Sequence, residues 1–160
     1  LLEDHVEEIH ARDLGLLKTI ISRCCQLKAQ VVEQDERETT GLRAILNYGH
    51  TFCHAFETVT NYGRFLHGEA VAIGMMCAAR LAESMGRIDQ QLISRQAALL
   101  TACNLPLTVS DIDPEALLAA MQHDKKVEHG KLRFVLPTKI GHVELVDDVS
   151  MDLVRAALTT

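Results

Sequence analysis

Four polar residues are spaced so that a single helix would present them on one face. Arg43, Asn47, His50 and His54 lie at positions i, i+4, i+7 and i+11, and about 3.6 residues per turn would stack them over roughly three turns. Arginine offers a planar fork of donors for phosphate or carboxylate, asparagine can hold a hydroxyl or an oxyanion, and neutral imidazole binds zinc. The spacing therefore indicates a combined anion- and metal-binding site, with an ordinary polar helix face as the alternative. The zinc-protease motif H-E-x-x-H is excluded because Thr51 stands where that motif requires glutamate.

A further histidine lies just before the next predicted helix. His67 is followed by Gly68 and Glu69, and only a short turn separates this helix from the preceding one. We expect the two helices to pack antiparallel and to bring His67 within reach of the polar face, where a metal ion would keep one position open to substrate. A solvent-facing helix cap is the alternative for His67. For Glu69 we favour a helix-start carboxylate over a partner that orients an imidazole.

The elements that must position these residues are mostly helices. Apolar residues recur at helical spacing from Asp13 to Val31, which predicts an amphipathic helix after a short one within residues 1–11. The other predicted elements are a polar loop over 35–41, helices over 42–59, 68–85 and 89–103, a helix that starts at Asp113-Pro114, a hairpin of 132–136 and 142–146 with Pro137 and Gly141 in its turn, and a last helix from Ser150 to about Leu158. This predicts one mostly α-helical domain over residues 1–160 with one small β-hairpin.

The composition limits the class of protein. Hydrophobic residues make up 48% of the 160 residues and there is no tryptophan, so we expect a globule whose core is mainly aliphatic. A formal charge of −6 without a basic stripe argues against nucleic acid as the main partner, and no apolar run is long enough to span a membrane. The five cysteines are odd in number and contain no C-x-x-C pair, which is typical of reduced core residues in a cytoplasmic protein.

Two segments together closely resemble the 3-dehydroquinate synthase family. They read Asn47-Tyr48-Gly49-His50-Thr51-Phe52-Cys53-His54-Ala55-Phe56-Glu57 and Leu66-His67-Gly68-Glu69-Ala70-Val71-Ala72-Ile73-Gly74-Met75. The resemblance continues in order through residues 28–32, 35–38, 41–43, 124–126, Gly130 and 134–137. It covers the C-terminal helical domain of the family and implies that the N-terminal NAD-binding domain is absent from this chain.

The resemblance also implies an activity for the full-length protein. Members of the family convert 3-deoxy-D-arabino-heptulosonate 7-phosphate to 3-dehydroquinate and phosphate, an early step of the shikimate pathway to aromatic amino acids. They use NAD and a zinc or cobalt ion in the cleft between the two domains, and transient oxidation of the C5 hydroxyl by NAD allows phosphate to be eliminated. The full-length protein is expected to be a homodimer, and these 160 residues alone are expected to be inactive.

The family's site residues carry over position by position. His50 and His67 resemble two of the three protein ligands of the metal, which acts as a Lewis acid on the substrate hydroxyls. Arg43, Asn47 and His54 resemble the residues that hold the phosphate end of the substrate and assist proton movement around it. These five residues are therefore the expected metal, substrate-binding and catalytic residues of the polar face.

Three lysines complete the expected site, and the chain also departs from the family pattern. Lys28 resembles a substrate-binding lysine of the catalytic site, and one of Lys125 and Lys126 is expected to reach the phosphate or the carboxylate. The third metal ligand of the family is a glutamate that would precede Leu1. Cys53 stands where the family commonly has a small residue.

Other functions remain open at this point. A sister sugar-phosphate cyclase, such as a 2-deoxy-scyllo-inosose synthase, shares the metal and NAD chemistry, although the pair Asn47 and His54 favours the dehydroquinate enzyme. A dehydrogenase of the glycerol type should lack the set formed by Arg43 and Asn47. A non-enzymatic helical module that binds a metal or a partner protein would instead turn the polar face to solvent and bind no phosphate.

Overall fold

The computed structural model describes residues 1–37, 39–123 and 132–159. Within these ranges the chain forms seven α-helices, one 3₁₀ helix and one two-stranded antiparallel sheet, which confirms the predicted mostly helical fold with a small hairpin. The elements in order are α1 (Val6–His10), α2 (Leu14–Gln34), the 3₁₀ helix (Leu42–Asn47), α3 (His50–Val59), α4 (His67–Ser84), α5 (Gln90–Ala102), α6 (Pro114–His123), β1 (Phe134–Lys139), β2 (His142–Val146) and α7 (Met151–Leu158). None of these helices is both long and apolar enough to cross a lipid bilayer.

Side-chain caps explain why several helices begin where the sequence predicts. Asp13 accepts a hydrogen bond from the Leu16 amide at the start of α2, and Asp89 accepts one from the Leu92 amide at the start of α5. The Ser150 hydroxyl does the same for the amide of Asp152 in α7. Each cap satisfies a donor that has no partner inside the helix, which is worth about 1 kcal/mol.

Helix α4 lies at the centre of the core. It buries ten of its 18 residues and packs against α3, α5, α7 and β1. The largest buried side chains come from these elements and from α6: Phe52, Phe56, Ile73, Leu81, Leu117, Met121, Phe134, Leu136 and Val154. The removal of this apolar surface from water holds the helices around α4.

The predicted helix over 42–59 is interrupted, so the prediction of one continuous polar face is wrong. The chain forms a 3₁₀ helix as far as Asn47, and α3 begins only at His50. Tyr48 leaves the helical conformation with a ψ of 122°, and Gly49 has a φ of +79°, a left-handed conformation that separates the 3₁₀ helix from α3. Arg43 and Asn47 therefore lie on a different element from His50 and His54.

Helix α2 is less buried than its amphipathic pattern predicts. It has no buried residue, and the side chains of Leu14 and Ile21 are 81% and 60% exposed. The expectation that the cysteines belong to the core is correct for Cys53 and Cys77 and wrong for Cys24 and Cys25, which are exposed on this helix. The apolar pattern is present, but α1 and the 3₁₀ helix, which contact α2, leave much of that face exposed.

Two smaller predictions concern the C-terminal part. The turn of the hairpin is tighter than expected, because Pro137 pairs with Val143 inside β1 and Gly141, with a φ of +79°, turns the chain. A proline is tolerated there because a two-stranded sheet leaves one side of each strand without a hydrogen-bonding neighbour. Lys125 and Lys126, one of which is expected to contact substrate, lie outside the described residues.

Candidate metal- and anion-binding site

Two glycines allow α3 and α4 to approach closely enough to form the site. A Cβ atom on Gly74 would lie 2.2 Å from the carbonyl oxygen of Gly49, and one on Gly49 would lie 2.6 Å from the amide nitrogen of Met75. The contacts run in opposite chain directions, since Gly49 meets Met75 whereas Glu57 meets His67. The helices are thus antiparallel, as predicted, and the first residues of α4 lie beside α3.

This packing brings three histidines together. The ring centres of His50 and His67 are 5.5 Å apart, and those of His50 and His54 are 5.7 Å apart. Zinc–nitrogen bonds of about 2.0–2.1 Å at a tetrahedral angle would place the centres of two zinc-bound imidazoles roughly 5 Å apart. The separation of His50 and His67 is therefore close to the one that a shared metal ion needs.

Hydrogen bonds define which nitrogen of each ring can bind a metal. The Nδ1 atom of His67 lies 2.8 Å from the carboxylate oxygen Oε1 of Glu57, and Nδ1 of His50 lies 3.3 Å from the carbonyl oxygen of Tyr48. A carbonyl or an ionised carboxylate can only accept, so both Nδ1 atoms are donors. In the neutral rings the lone pair is then on Nε2, the atom that would coordinate a metal.

Glu57 and Tyr48 are members of the site that are not predicted from the sequence. Glu57 orients His67, whereas Glu69 accepts a hydrogen bond from the Leu66 amide at 2.8 Å and is the helix-start carboxylate that we favoured. Glu57 lies seven residues after His50, and this spacing places both on one face of α3. That periodicity was the available signal, but the contact with His67 depends on how the two helices pack.

Tyr48 fixes the peptide that orients His50. Its phenol lies 3.2 Å from the carbonyl oxygen of Met75 and 2.9 Å from Oε1 of Gln96. Burial raises the pKa of Tyr48 to about 12, so the hydroxyl stays protonated and keeps its donor at neutral pH. The side chain thereby ties the segment between the 3₁₀ helix and α3 to α4 and α5.

Cys53 lies beside the histidines but is a poor candidate for a ligand. One donor atom from each of Cys53, Glu57 and His67 lies within 4.8 Å of the others, a grouping that could hold a metal ion. However, burial, with a smaller contribution from Glu57, raises the pKa of Cys53 to about 12. The thiolate that binds metals is therefore scarce at neutral pH, and the bond of Nδ1 to Glu57 favours binding through Nε2 of His67.

The residues expected to bind an anion lie on other elements than this cluster. Arg43 and Asn47 are half-buried on the 3₁₀ helix, which packs against α2, and a guanidinium nitrogen of Arg43 donates to the carbonyl oxygen of Glu36 at 3.3 Å. Lys28 is exposed on α2. The structure thus brings the three histidines together on α3 and α4. Arg43 and Asn47 lie on the preceding 3₁₀ helix, and Lys28 lies on α2.

Comparisons with known proteins support the relationship suggested by the motifs. A family model described as the 3-dehydroquinate synthase C-terminal domain matches residues 1–127. A curated 3-dehydroquinate synthase from Rhodopirellula baltica is 54% identical over 157 residues, covering 98% of this chain and 42% of that protein. Another from Synechocystis sp. is 52% identical and covers 89% of this chain and 40% of that protein. This chain therefore spans less than half the length of these relatives.

Solved structures of two related cyclases share the fold. A 2-epi-5-epi-valiolone synthase from Streptomyces hygroscopicus, with NAD⁺ and Zn²⁺ bound, has a TM-score of 0.84 and 27% identity, covering 98% of this chain and 44% of that one. A 2-deoxy-scyllo-inosose synthase complexed with carbaglucose-6-phosphate, NAD⁺ and Co²⁺ has a TM-score of 0.75 and 28% identity, with 91% and 42% covered. With a family model that matches residues 1–127 and relatives at about 50% identity, the chain belongs to the 3-dehydroquinate synthase family, as its C-terminal domain.

Proposed function

We propose that the full-length protein containing this chain is a 3-dehydroquinate synthase, and that these residues form its metal- and phosphate-binding half. It would convert 3-deoxy-D-arabino-heptulosonate 7-phosphate to 3-dehydroquinate and phosphate in the shikimate pathway. The observation that carries the proposal is the 5.5 Å separation of the His50 and His67 rings in a chain that is 54% identical to a curated enzyme of this name. A homodimer in the cytoplasm is part of the same proposal.

The metal site fits a catalytic ion better than a structural one. His50 and His67 would supply two imidazole ligands through Nε2, with Glu57 and the carbonyl of Tyr48 holding the opposite ring nitrogens. The side chain of His67 is 60% exposed, which leaves an approach from outside. When bound, zinc or cobalt supplies Lewis-acid polarisation of a substrate hydroxyl.

The anion half would hold the phosphate end of the substrate. Arg43 offers a planar, permanently charged fork and Asn47 both a donor and an acceptor, while Lys28 and one of Lys125 and Lys126 would add charge. His54, whose ring centre lies 5.7 Å from that of His50, would take up or deliver a proton near the leaving phosphate. NAD, which supplies reversible oxidation of the substrate, would be held by the N-terminal part of the full-length protein.

Phosphate release by the full-length protein tests the proposal. We expect turnover of 3-deoxy-D-arabino-heptulosonate 7-phosphate that a chelator abolishes and added zinc or cobalt restores. His50→Ala or His67→Ala should lower the zinc affinity and the activity at least about tenfold, whereas His142→Ala, an exposed histidine on β2, should change neither. Full activity of either ligand variant would contradict the proposal. The 160-residue chain alone should bind zinc weakly and show no turnover.

A sister sugar-phosphate cyclase is the second candidate, because the structural neighbours are such enzymes at TM-scores of 0.84 and 0.75. Their 27–28% identity is well below the 54% shared with the 3-dehydroquinate synthase of Rhodopirellula baltica. Inhibition by carbaglucose-6-phosphate, the compound bound by the 2-deoxy-scyllo-inosose synthase, distinguishes the two candidate functions. The compound should inhibit a sister enzyme strongly and a 3-dehydroquinate synthase weakly.

A further inference from the structure

Asp35 is a buried carboxylate that the proposed chemistry does not use. It is 3% exposed and is the one buried charged or polar side chain among residues 1–37, 39–123 and 132–159. Burial of an ionised carboxylate is unfavourable unless hydrogen bonds replace the lost water. Asp35 lies immediately after α2 and before the loop to the 3₁₀ helix, so its hydrogen bonds determine how these two elements are connected.

Three backbone amides satisfy the carboxylate. Oδ1 accepts from the amides of Thr39 and Thr40 at 2.9 and 3.0 Å, and Oδ2 accepts from the amide of Arg43 at 3.3 Å. These hydrogen bonds hold the pKa of Asp35 below its usual range, with the Thr40 amide as the largest cause. The carboxylate thus links Thr39 and Thr40 to Arg43, the second residue of the 3₁₀ helix.

The same loop also contacts the side chain of Arg43. A guanidinium nitrogen of Arg43 donates to the carbonyl oxygen of Glu36, the residue after Asp35, at 3.3 Å. Asp35 itself is joined to the end of α2 through its own amide, which bonds to the carbonyl of Val32 at 3.2 Å. Arg43 is therefore held at two points by a loop that Asp35 organises at the end of the helix carrying Lys28.

We propose that Asp35 is a positioning residue that fixes the Arg43 guanidinium for binding the phosphate group of the substrate. The inference rests on the proposed function, since it takes Arg43 as the phosphate-binding side chain. Asp35 would act through Arg43 and would not touch the substrate. An arginine that is already held in place loses less conformational freedom when it binds an oxyanion, so its position affects affinity directly.

Asp35→Asn separates this role from a general effect on folding. An asparagine oxygen at the place of Oδ1 can keep the bonds from Thr39 and Thr40, but its amide group would then face the Arg43 N–H, donor against donor. The variant should weaken binding of inorganic phosphate to the full-length protein roughly tenfold. Zinc content and the midpoint of thermal unfolding should change little. Asp89→Asn, which alters an exposed capping aspartate at α5, is the matched control and should leave phosphate affinity unchanged.

A double-mutant cycle with Arg43→Ala gives the deciding measurement. If Asp35 acts through Arg43, Asp35→Asn should cost almost no further phosphate affinity once Arg43 is removed. An equal loss with and without Arg43, or wild-type affinity in Asp35→Asn, would overturn the inference while leaving the proposed function intact. If Arg43→Ala binds phosphate as tightly as the wild type, both this inference and the phosphate-binding role proposed for Arg43 fail. Should Asp35→Asn not fold, Asp35→Glu keeps the charge but displaces the oxygens, and unaltered phosphate affinity in that variant would equally overturn the inference.

Discussion

The two halves of the candidate site are held by different forces. The metal half lies on α3 and α4, which bury apolar residues such as Phe52 and Ile73 and meet at Gly49 and Gly74. The anion half lies on a 3₁₀ helix that has no buried residue and depends on hydrogen bonds to one buried carboxylate, Asp35. The hydrophobic effect that drives apolar burial is non-directional, whereas hydrogen bonds are directional. The packing of α3 against α4 should therefore persist when a nearby polar side chain is changed, whereas loss of the Asp35 hydrogen bonds should displace Arg43.

Gly74→Ala should have the largest effect on stability, because the added methyl group forces α3 and α4 apart. The new methyl group would lie 2.2 Å from the Gly49 carbonyl oxygen and 2.9 Å from the Cys53 amide nitrogen, both backbone atoms that cannot rotate away. We expect the free energy of unfolding to fall by about 3 kcal/mol or more. Chemical denaturation followed by circular dichroism measures this change.

Gly68→Ala is the matched control in the same helix. A Cβ at Gly68 would meet no atom within 4 Å, and alanine favours a helix over glycine by up to about 1 kcal/mol. This variant should be as stable as the wild type or more so. Equal stability of the two alanine variants would show that α3 and α4 are not in contact at Gly74.

The metal half could be predicted from the sequence further than the anion half. The short turn between the helices was enough to predict that His67 approaches His50, because antiparallel packing follows from connection length. The spacing of Arg43, Asn47, His50 and His54 was misleading, since helical periodicity says nothing about the φ of +79° at Gly49. A glycine inside a predicted helix was the available warning.

Helical periodicity in the sequence could not predict two features of the structure. These are the contacts between side chains of different helices and whether an apolar helix face is covered by a neighbour. The contact of Glu57 with His67 joins two helices, so it depends on their relative rotation as well as on the pattern within each. Cys24 follows an apolar helical pattern yet is exposed, because burial of such a face requires a neighbour that the pattern does not specify. Both failures concern tertiary contacts and not the type of local structure.

Glu57→Gln tests the hydrogen bond that completes the metal half. Glutamine can still accept from Nδ1 of His67, but the charge that makes this 2.8 Å bond strong is lost. The zinc affinity of the full-length protein should fall about tenfold, as measured by competition with a chelating dye. Glu83→Gln, an exposed position on α4, should have no effect, and a similar loss in that variant would point to overall charge instead.

Tyr48→Phe tests the joint between the two halves. The change removes the phenol hydrogen that lies between the Met75 carbonyl oxygen and Oε1 of Gln96, so the partly buried Gln96 oxygen loses a donor. We expect a loss of about 1–2 kcal/mol in the free energy of unfolding, together with weaker zinc binding through the displaced Tyr48 carbonyl. Tyr62 is 70% exposed, so Tyr62→Phe should be neutral. If both variants are neutral, the phenol does not hold the segment before α3.

Acid should loosen the loop around Asp35 before it loosens the packing of α3 against α4. The pKa of Asp35 is lower in the folded chain than the usual value of about 3.9, so its stabilising effect is fully present above that value and is lost as the pH falls through the folded pKa. The amide proton shifts of Thr39, Thr40 and Arg43 should titrate together with a midpoint below about 3.9. The amide of Ala78, buried in α4, should not follow them. A midpoint at or above the ordinary aspartate value would mean that these amides do not hold the ionised carboxylate, and the contrast between a packed half and a hydrogen-bonded half would then fail.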